Sequence, residues 1–357
     1  MRVLKPPGRL KTRPTMRQVA AHARVSLKTV SRVINAESVV SPTLRSRVQA
    51  SVEHLGYRHN LQASSLRRTD SRSATIGLVL RDAANALSAP LSNEVESIAL
   101  KRGVLVFTGS SHDDEEHDRE LIWAFSCHRV DGLIVVGTTQ NTDLLLAEHR
   151  AGTSIVLVDQ LESTFDSDHV VTDDFQGTQL GIRHLIANGH RHIGYLGGPA
   201  SDRTIRRYRG CVDELRAQGW PIDEHLVRLD VHDSEAAETA AAELLSEARR
   251  PTALFASGSQ IALGTYRVLR RLDLNRQVAL VAFDDLLDAD LTACGVTVIA
   301  PDPVALGRAA AKLLFRRIDG DESPPVHHLI PSRLITRATG EIHVMGLSGP
   351  AVQRIAR

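Results

Sequence analysis

The sequence predicts a small all-α headpiece followed by an α/β core of two doubly wound parallel-sheet lobes. Apolar residues recur at helical spacing in the first 59 residues, whereas residues 74–340 alternate short Val/Ile/Leu-rich runs with amphipathic helical stretches. The charge divides at the same place, because residues 1–73 contain 15 Lys/Arg and 3 Asp/Glu and the remainder contains 28 and 39. Net charges of +12 and −11 suit contact with nucleic acid by one end only.

Two short helices joined by a tight turn are predicted between Pro14 and Asn35. Thr15 and Gln18 have the spacing of a capping box at the start of the first helix. That helix carries an apolar stripe formed by Met16, Val19, Ala20 and Ala23. The pattern is typical of a helix-turn-helix in which the first helix supports the second.

The second helix has a polar and basic outer face. Ser26 can cap it, and Val30 and Val33 point back to the core. The residues on or near the outer face are Leu27, Lys28, Thr29, Ser31 and Arg32. Such a helix suits the major groove of DNA, where cationic side chains meet guanine edges and phosphates and a leucine can touch a thymine methyl. Periodicity alone leaves open an ordinary helical hairpin with a solvated basic face.

A third helix and a linker complete the headpiece. Ser41 and Pro42 supply a cap and a proline at the first helical position, and Gly56 ends the helix. The segment after Gly56 is polar and Arg-rich, which is typical of a linker. The predicted organisation is a disordered basic arm in residues 1–13, a helix-turn-helix domain in 14–59 and a hinge helix or linker in 60–73.

The core begins as a βαβα series. Its predicted strands lie in residues 74–80, 104–110, 130–137 and 153–159, and its helices in 91–102, 115–127 and 143–150. A second series starts at Val170, with helices in 175–188, 206–218, 236–248 and 261–272 and strands in 192–198, 226–231, 252–257 and 278–285. Near-continuous apolar strands indicate parallel sheets covered on both faces. Two such lobes bind small ligands in the crevice at the carboxyl ends of their strands.

Candidate ligand contacts follow the predicted strands. They are Asp82 and Asn85 after the first strand, Asp173 at the crossing between lobes, Arg207 in RRYRG and Asp284 in FDD. An arginine and a carboxylate at a crevice suit a polyol, because they supply a charged donor and an acceptor. Asp173 is equally suited to the N-cap of the following helix.

Between Val19 and Leu66 the chain reads VA-x-x-A-x-VS-x-x-TVSRV-x-N, VSPTLRSRV, EHLGY and N-x-x-A-x-SL. These strings resemble the DNA-binding headpiece of the lactose-repressor (LacI/GalR) family, although Arg24, His59 and Ser64 replace the usual Gly, Pro and Arg. The resemblance implies a hinge helix in residues 61–66 that forms only on DNA, with a leucine wedge in the minor groove. It implies DNA contacts by Thr15, Ser26, Leu27, Lys28, Thr29, Ser31, Arg32, Asn35, Tyr57, Asn60, Ala63 and Leu66.

The core strings RVDGLIVV, HLIANGHRHIGYLGGP, RRYRGCVDEL, PTALFASGSQIALG and PVALGRAAAKLL resemble the same family, so the resemblance covers about residues 15–340. It implies a core like a periplasmic sugar-binding protein, in which Arg207 and Asp284 match effector-binding positions. The implied amino lobe takes about residues 74–170 and 297–333, the carboxyl lobe about 171–296 and 334–340, and a tail takes 341–357.

The resemblance further implies a repressor that binds a pseudo-palindromic operator as a homodimer or larger assembly. Its effector would be a small sugar or sugar derivative, and we favour release from DNA by this inducer. Two departures bear on the pocket: residues 85–88 read Asn-Ala-Leu-Ser instead of Asn-Pro-Phe-Phe, and 258–259 read Gly-Ser instead of Asn-Asp. Only 4% of the residues are aromatic, so few side chains are available to stack on a sugar ring. A nucleobase-type effector therefore stays open.

Other functional classes find little support in the sequence. No apolar run approaches the roughly 18 residues of a membrane span, and the first residues lack the apolar middle of a signal peptide, so we expect a cytoplasmic protein. Cys127, Cys211 and Cys294 lack metal or disulfide spacing. We expect no metal, no cofactor and no catalytic set. The alternative is a cytoplasmic or exported solute-binding protein that uses the same core without regulating DNA.

Overall fold

The chain divides into two compact units, residues 1–73 and 74–357, which are described separately below. Within the part of the chain that can be described, no helix has both the length and the apolar character needed to cross a membrane. The computed structural model describes residues 14–34, 40–58, 72–83, 85–112, 114–137, 141–160, 165–285 and 295–344.

The described residues of the first unit form three helices: α1 (Met16–Ala23), α2 (Leu27–Ile34) and α3 (Pro42–Leu55). The capping box at α1 is present, because the Gln18 backbone N–H donates to Thr15 Oγ1 at 3.4 Å and the Thr15 N–H donates to Gln18 Oε1 at 2.7 Å. At the start of α2, Ser26 Oγ accepts the Thr29 backbone N–H at 3.1 Å. The three helices enclose a small core of buried side chains, namely Val19, Ala20, Ala23, Val30, Val33 and Val48.

The helix ends of this unit depend on left-handed backbone. Arg24, between α1 and α2, has φ 50°, which costs a side-chain-bearing residue roughly 1–2 kcal/mol. Gly56 ends α3 at φ 62° without that cost. Ser41 occupies the N-cap position of α3, but its hydroxyl lies 3.3 Å from Thr43 Oγ1 and makes no capping bond to the backbone. Ser41 therefore occupies the predicted N-cap position but does not form the capping hydrogen bond.

Strands and helices alternate through the second unit. The strands are β1 (Thr75–Leu80), β2 (Leu105–Ser110), β3 (Gly132–Val136), β4 (Ser154–Val158), β5 (Asp168–Thr172), β6 (Ile193–Leu196), β7 (Val227–Arg228), β8 (Ala253–Ala256), β9 (Ala279–Phe283), β10 (Thr297–Ala300), β11 (His327–Ile330) and β12 (Arg333–Ile335). The helices are α4 (Ser88–Lys101), α5 (Glu115–Cys127), α6 (Thr142–Arg150), α7 (Asp174–Ala187), α8 (Asp202–Ala217), α9 (Ser234–Ser246), α10 (Ser259–Arg271) and α11 (Pro303–Ile318), and short 3₁₀ turns lie at Glu224–Leu226 and Ala338–Gly340.

Each lobe is built on a six-stranded sheet. The amino-lobe sheet has the order β11-β5-β4-β3-β1-β2 and is parallel throughout. The carboxyl-lobe sheet has the order β12-β10-β9-β8-β6-β7, in which only β12 runs antiparallel to its neighbour. Buried clusters on both faces of each sheet join strands to helices, for example Leu91 and Leu306 on one face of the amino sheet and Ile122 on the other. The predicted doubly wound fold is confirmed.

The chain crosses between the lobes at places that differ from the prediction. β5 continues the amino sheet to Thr172, two residues beyond the expected boundary at 170. β10 was expected in the amino lobe, but Val298 lies opposite Ala282 of β9 and Ile335 of β12 in the carboxyl sheet. Assigning residues 297–333 to the amino lobe is therefore wrong for its first strand. A short apolar run suits either sheet, and only long-range pairing decides between them. α11 and β11 do return to the amino lobe.

Helices α9 and α10 approach closely at Gly264. A Cβ at this position would lie 2.1 Å from the Ser234 carbonyl oxygen and 2.8 Å from Ala237 Cβ. We expect Gly264→Ala to lower the free energy of unfolding by roughly 1–3 kcal/mol, because the two helices must separate. Urea unfolding measures the change, and Gln260→Ala on the exposed surface of α10 is the control, expected within about 0.5 kcal/mol of the parent. Equal stability of Gly264→Ala and the parent would contradict tight packing here.

Candidate functional site

Charged side chains gather where the carboxyl ends of the strands face the opposite lobe. Asp159 follows β4 of the amino lobe, Asp284 follows β9 of the carboxyl lobe, and Asp174 opens α7 just after β5. Helix α8 of the carboxyl lobe contributes Arg203 and Arg207. Arg203 lies 2.7 Å from Asp159 of the other lobe, so the two lobes meet at these side chains. The site is a crevice that combines acids from both lobes with arginines from one helix.

Arg207 is the most constrained group in the crevice, with a side chain only 3% exposed. Its Nε donates to Asp174 Oδ1 at 2.7 Å, and its Nη1 donates to the Ser257 carbonyl oxygen at 2.5 Å. Nη1 and Nη2 lie 3.1 and 3.3 Å from the two carboxylate oxygens of Asp284. The guanidinium carbon lies 3.6 Å from the ring centroid of Phe283. The planar cation is therefore held in one orientation.

The surroundings of the Arg207 guanidinium keep it permanently charged. Burial alone would lower the pKa of Arg207, but Asp284 and Asp174 outweigh burial and raise the pKa above its ordinary value. Asp174 also accepts Arg206 Nη2 at 2.9 Å, and its side chain is 1% exposed. Asp284 is the more accessible acid, at 19% exposure. A carboxylate oxygen with this exposure can accept a hydrogen bond from a ligand hydroxyl.

Asp159 is held by both lobes. Its Oδ1 accepts the Thr172 backbone N–H at 3.0 Å and the Thr172 hydroxyl at 2.9 Å, and its Oδ2 pairs with Arg203. Burial alone would raise the pKa of Asp159, but Arg203 and Thr172 outweigh it, so the pKa lies below the usual value. The carboxylate is therefore ionised at neutral pH, and its contribution to stability disappears only as the pH falls through this lowered pKa.

Asp173, a predicted effector contact, is the N-cap of α7. Its Oδ1 accepts the Gln176 backbone N–H at 3.0 Å, which is the alternative that the sequence left open. Its half-buried side chain does not join Arg207 and Asp284 in hydrogen bonding. Contact between Asp173 and a ligand stays a prediction.

Asp82 and Asn85 shape the turn before α4. The Asp82 carbonyl oxygen accepts the Ser88 hydroxyl at 2.5 Å, and Asn85 Oδ1 accepts the Leu87 backbone N–H at 2.9 Å. The two residues lie after β1 at the crevice end of the amino sheet. Of the five predicted contacts, the structure joins Arg207 to Asp284 directly and places these two together on the other lobe.

Several crevice residues were missed by the sequence prediction. Asp159 had a signal, because the predicted strand TSIVLVD ends on it. Arg203 also had one, since it lies one helical turn before Arg207 and shares its side of α8. Asp174 was overlooked beside Asp173. Nothing in the local sequence distinguishes Ser257 or Phe283, whose roles depend on where their strands end.

A cavity of about 680 Å³ lies beside another side of α8. Its lining includes Thr204, Tyr208, Val212 and Leu229, but neither Arg203 nor Arg207 nor their acid partners. This lining is mostly apolar. Ligand sites combine an enclosed surface with a few convergent polar groups, so the charged crevice is the better candidate.

In the headpiece unit, the side chains at the start of α2 are exposed. Leu27 is 41% exposed, and Ser26 and Lys28 are also exposed. Thr29, Ser31 and Arg32 are half-buried. These residues form a short continuous surface over a buried apolar base, as the prediction of a reading helix requires.

The remaining predicted DNA contacts differ in their surroundings. Thr15 is exposed, and its hydroxyl belongs to the capping box of α1. Tyr57 packs against the headpiece core, and burial raises its pKa. Asn35, Asn60, Ala63 and Leu66 lie outside the described residues, as do the arm in 1–13 and most of the hinge.

Comparison with known proteins gives a consistent result over both units. Residues 15–60 match the model of bacterial regulatory proteins of the lacI family, and residues 182–339 match that of a periplasmic binding protein-like domain. The chain is 30% identical over 329 residues to the HTH-type transcriptional regulator GalR of Salmonella typhimurium, covering 90% of this chain and 95% of that protein. It is 28% identical over 328 residues to the HTH-type transcriptional repressor PurR of Klebsiella pneumoniae, covering 90% and 96%.

Solved structures give the same picture. A complex of the transcriptional regulator CelR with cellobiose has a TM-score of 0.67 at 30% identity, covering 92% of this chain and 100% of that one. The lac repressor dimer bound to operator and the anti-inducer ONPF has a TM-score of 0.80 at 26% identity, covering 92% and 99%.

The buried charge network yields a prediction on stability. We expect Arg207→Met to lower the free energy of unfolding by roughly 3 kcal/mol, the lower end for breaking a buried ion pair, because Arg206 still neutralises Asp174. Denaturant unfolding measures the loss. The control is Arg209→Met, an exposed arginine of the same helix, which should leave stability unchanged. A loss of equal size in both variants would show that Arg207 contributes only general helix packing.

Proposed function

Because this chain belongs to the lacI family of bacterial regulatory proteins, we propose that it is a sequence-specific transcriptional repressor whose operator affinity is controlled by a small molecule bound between the core lobes. The observation that carries the proposal is the capped, exposed start of α2 on an intact three-helix core. That surface belongs to the basic part of a chain whose remainder is acidic. Phosphate neutralisation by one end is the expected consequence.

The DNA site would be a pseudo-palindrome bound by a homodimer or a larger assembly. One α2 offers few base contacts, and a two-fold pair of headpieces doubles them. The operator-bound dimer of the lac repressor supports this assembly for a chain with the same fold. We propose that the dimer interface lies on α4 and α10. Leu100 near the end of α4 is 71% exposed, and Leu272 just after α10 is 48% exposed. Sedimentation of the full chain as a monomer at micromolar concentration would contradict the dimer.

The effector would be a sugar or sugar derivative that contacts the Arg207–Asp284 pair. The pair presents a fixed acceptor and a fixed donor, which is the pattern that adjacent hydroxyls of a polyol require. The complex of CelR with cellobiose supports a sugar as the ligand of a chain with this fold. The proposed direction is release from the operator by this inducer, with the hinge in residues 60–73 as transmitter.

The rival readings lack a supporting observation. If the protein were a solute-binding protein without a DNA role, the exposed, capped start of α2 would have no function. The similar proteins named above are regulators, and we propose that this chain likewise acts in the cytoplasm without catalysing a reaction. Turnover of a bound sugar would contradict that proposal.

Substitutions on α2 and in the arm should separate two kinds of DNA contact. We expect Lys28→Ala to lower affinity for a selected operator by roughly 1–3 kcal/mol while changing affinity for random duplex much less. Arg9→Ala, in the predicted arm, should weaken both equally and reduce the salt slope by about one. Fluorescence anisotropy over a salt series measures both. Equal losses on both duplexes for Leu27→Ala, Lys28→Ala and Arg32→Ala would show that α2 does not read sequence.

A ligand screen tests the regulatory half of the proposal. We expect a thermal-shift screen of sugars, polyols and nucleobases to yield a sugar-like compound that adds about 2.7 kcal/mol of stability at a hundred times its Kd. The compound should also lower operator affinity. Asp284→Asn is the matched variant, because Asn tolerates the left-handed backbone at φ 67° but loses the charge that holds the ligand.

Two outcomes of the screen would count against the proposal in different ways. Compounds that stabilise the protein but leave operator affinity unchanged would refute the coupling. An unaltered response of Asp284→Asn would refute the assignment of the pocket.

A further inference from the structure

One ion pair crosses the crevice from lobe to lobe. Asp159 Oδ2, after β4 of the amino lobe, lies 2.7 Å from Arg203 Nη2 of α8 in the carboxyl lobe. The Asp159 side chain is 6% exposed and that of Arg203 is 22% exposed. A pair this sheltered is screened less by solvent than a surface pair, so the attraction is stronger, while burial of the two charges costs part of their hydration.

The other arginines of α8 that reach the crevice are neutralised differently. Arg206 and Arg207 bind Asp174, and Arg207 binds Asp284, so every one of these partners belongs to the carboxyl lobe itself. Separation of the lobes leaves those pairs intact. Among the described residues, the ion-pair partner of Arg203 is Asp159 alone, and separation of the lobes breaks that pair.

The two ends of the pair also differ in what remains after separation. Asp159 stays beside the Thr172 backbone N–H and hydroxyl, because Thr172 is the last residue of β5 in the same lobe, but it loses the arginine that orients its carboxylate against them. Arg203 loses the Asp159 carboxylate and gains water. Opening therefore costs the attraction of the pair, which the hydration of the two charges partly offsets.

We propose that Asp159 and Arg203 form an interlobe latch that holds the crevice closed and sets the equilibrium between closed and open cores. This inference rests on the proposed function for its regulatory meaning, since the crevice would be the effector site. The latch then fixes the work that an effector must do, because a ligand shifts the lobe equilibrium only by its difference in affinity for the two arrangements. Arg203 is a positioning residue in this scheme, not a required ligand contact.

The Thr172 amide is a natural reporter of the latch. Its N–H is buried and donates to the carboxylate that Arg203 holds across the crevice. Hydrogen–deuterium exchange of the full chain, resolved to Thr172, should therefore accelerate when the latch is weakened. We expect about tenfold faster exchange in Arg203→Gln, equivalent to about 1.4 kcal/mol. Arg203→Lys, which keeps the charge, should restore most of the protection.

Arg206→Gln is the matched control for this measurement. It removes the same charge from the same helix, but its partner Asp174 belongs to its own lobe, so Thr172 exchange should stay within about twofold of the parent. Equal acceleration in Arg206→Gln and Arg203→Gln would overturn the latch in favour of general loosening of α8. Parental exchange in Arg203→Gln would overturn it directly.

A charge-reversal variant tests whether loss of the latch opens the two lobes and so enlarges the molecule. Arg203→Glu sets two carboxylates against each other across the crevice, and we expect small-angle X-ray scattering of the full chain to show a larger radius of gyration. Arg209→Glu, an exposed reversal on the same helix, should leave it unchanged. An unchanged radius for Arg203→Glu would refute the latch.

Operator affinity of the same variants separates this inference from the function on which it rests. If Arg203→Gln speeds Thr172 exchange and also changes operator affinity, the latch and the proposed regulation of DNA binding by the crevice are both supported. If exchange accelerates while operator affinity stays the same, the latch is supported and the proposed regulation of DNA binding by the crevice is refuted.

Discussion

The buried guanidinium of Arg207 is the interaction on which the geometry of the carboxyl lobe depends. A charge that is 3% exposed is tolerated only where protein acceptors replace its lost water. The acceptors come from the start of α7, the end of β8 and the end of β9, namely Asp174, Ser257 and Asp284. A single side chain of α8 thereby fixes a second helix and two strand ends relative to one another. The crevice wall is rigid because this charge must be satisfied.

The same local device brings a carboxylate to the crevice in each lobe. Asp159 and Asp284 both follow a central strand, and both have left-handed backbone, with φ 58° and 67°. Aspartate is among the few side chains that accept this conformation at modest cost. The chain turns sharply there, and the carboxylate remains near the strand end. Both acids meet arginines one helical turn apart on α8, which explains why one helix connects the lobes.

Periodicity and turn chemistry suffice to predict most of this architecture, because they are local. The capping box at Thr15 and the helix from Glu115 to Cys127 are examples. The error at Thr297 has a non-local cause, since the run TVIA suits either sheet and its partners are distant in sequence. The placement of Arg207 and Asp284 at the crevice was anticipated through family resemblance. The bonds of Arg207 to Asp284, Asp174 and Ser257 were not, because they depend on three-dimensional convergence of separate strand ends.

Helix α8 therefore takes part in two kinds of ion pair, within one lobe and between lobes, which have different thermodynamic consequences. The pairs of Arg207 lie within one lobe, so separation of the lobes leaves them unchanged and they favour neither arrangement. The pair between Arg203 and Asp159 exists only when the lobes meet, so it favours closure without contacting a ligand. Regulation requires that a ligand alter the balance set by the second kind. Residues 85–88 lack the aromatic pair usual in the family, whereas Asp159 joins the amino lobe to α8 through a charged group.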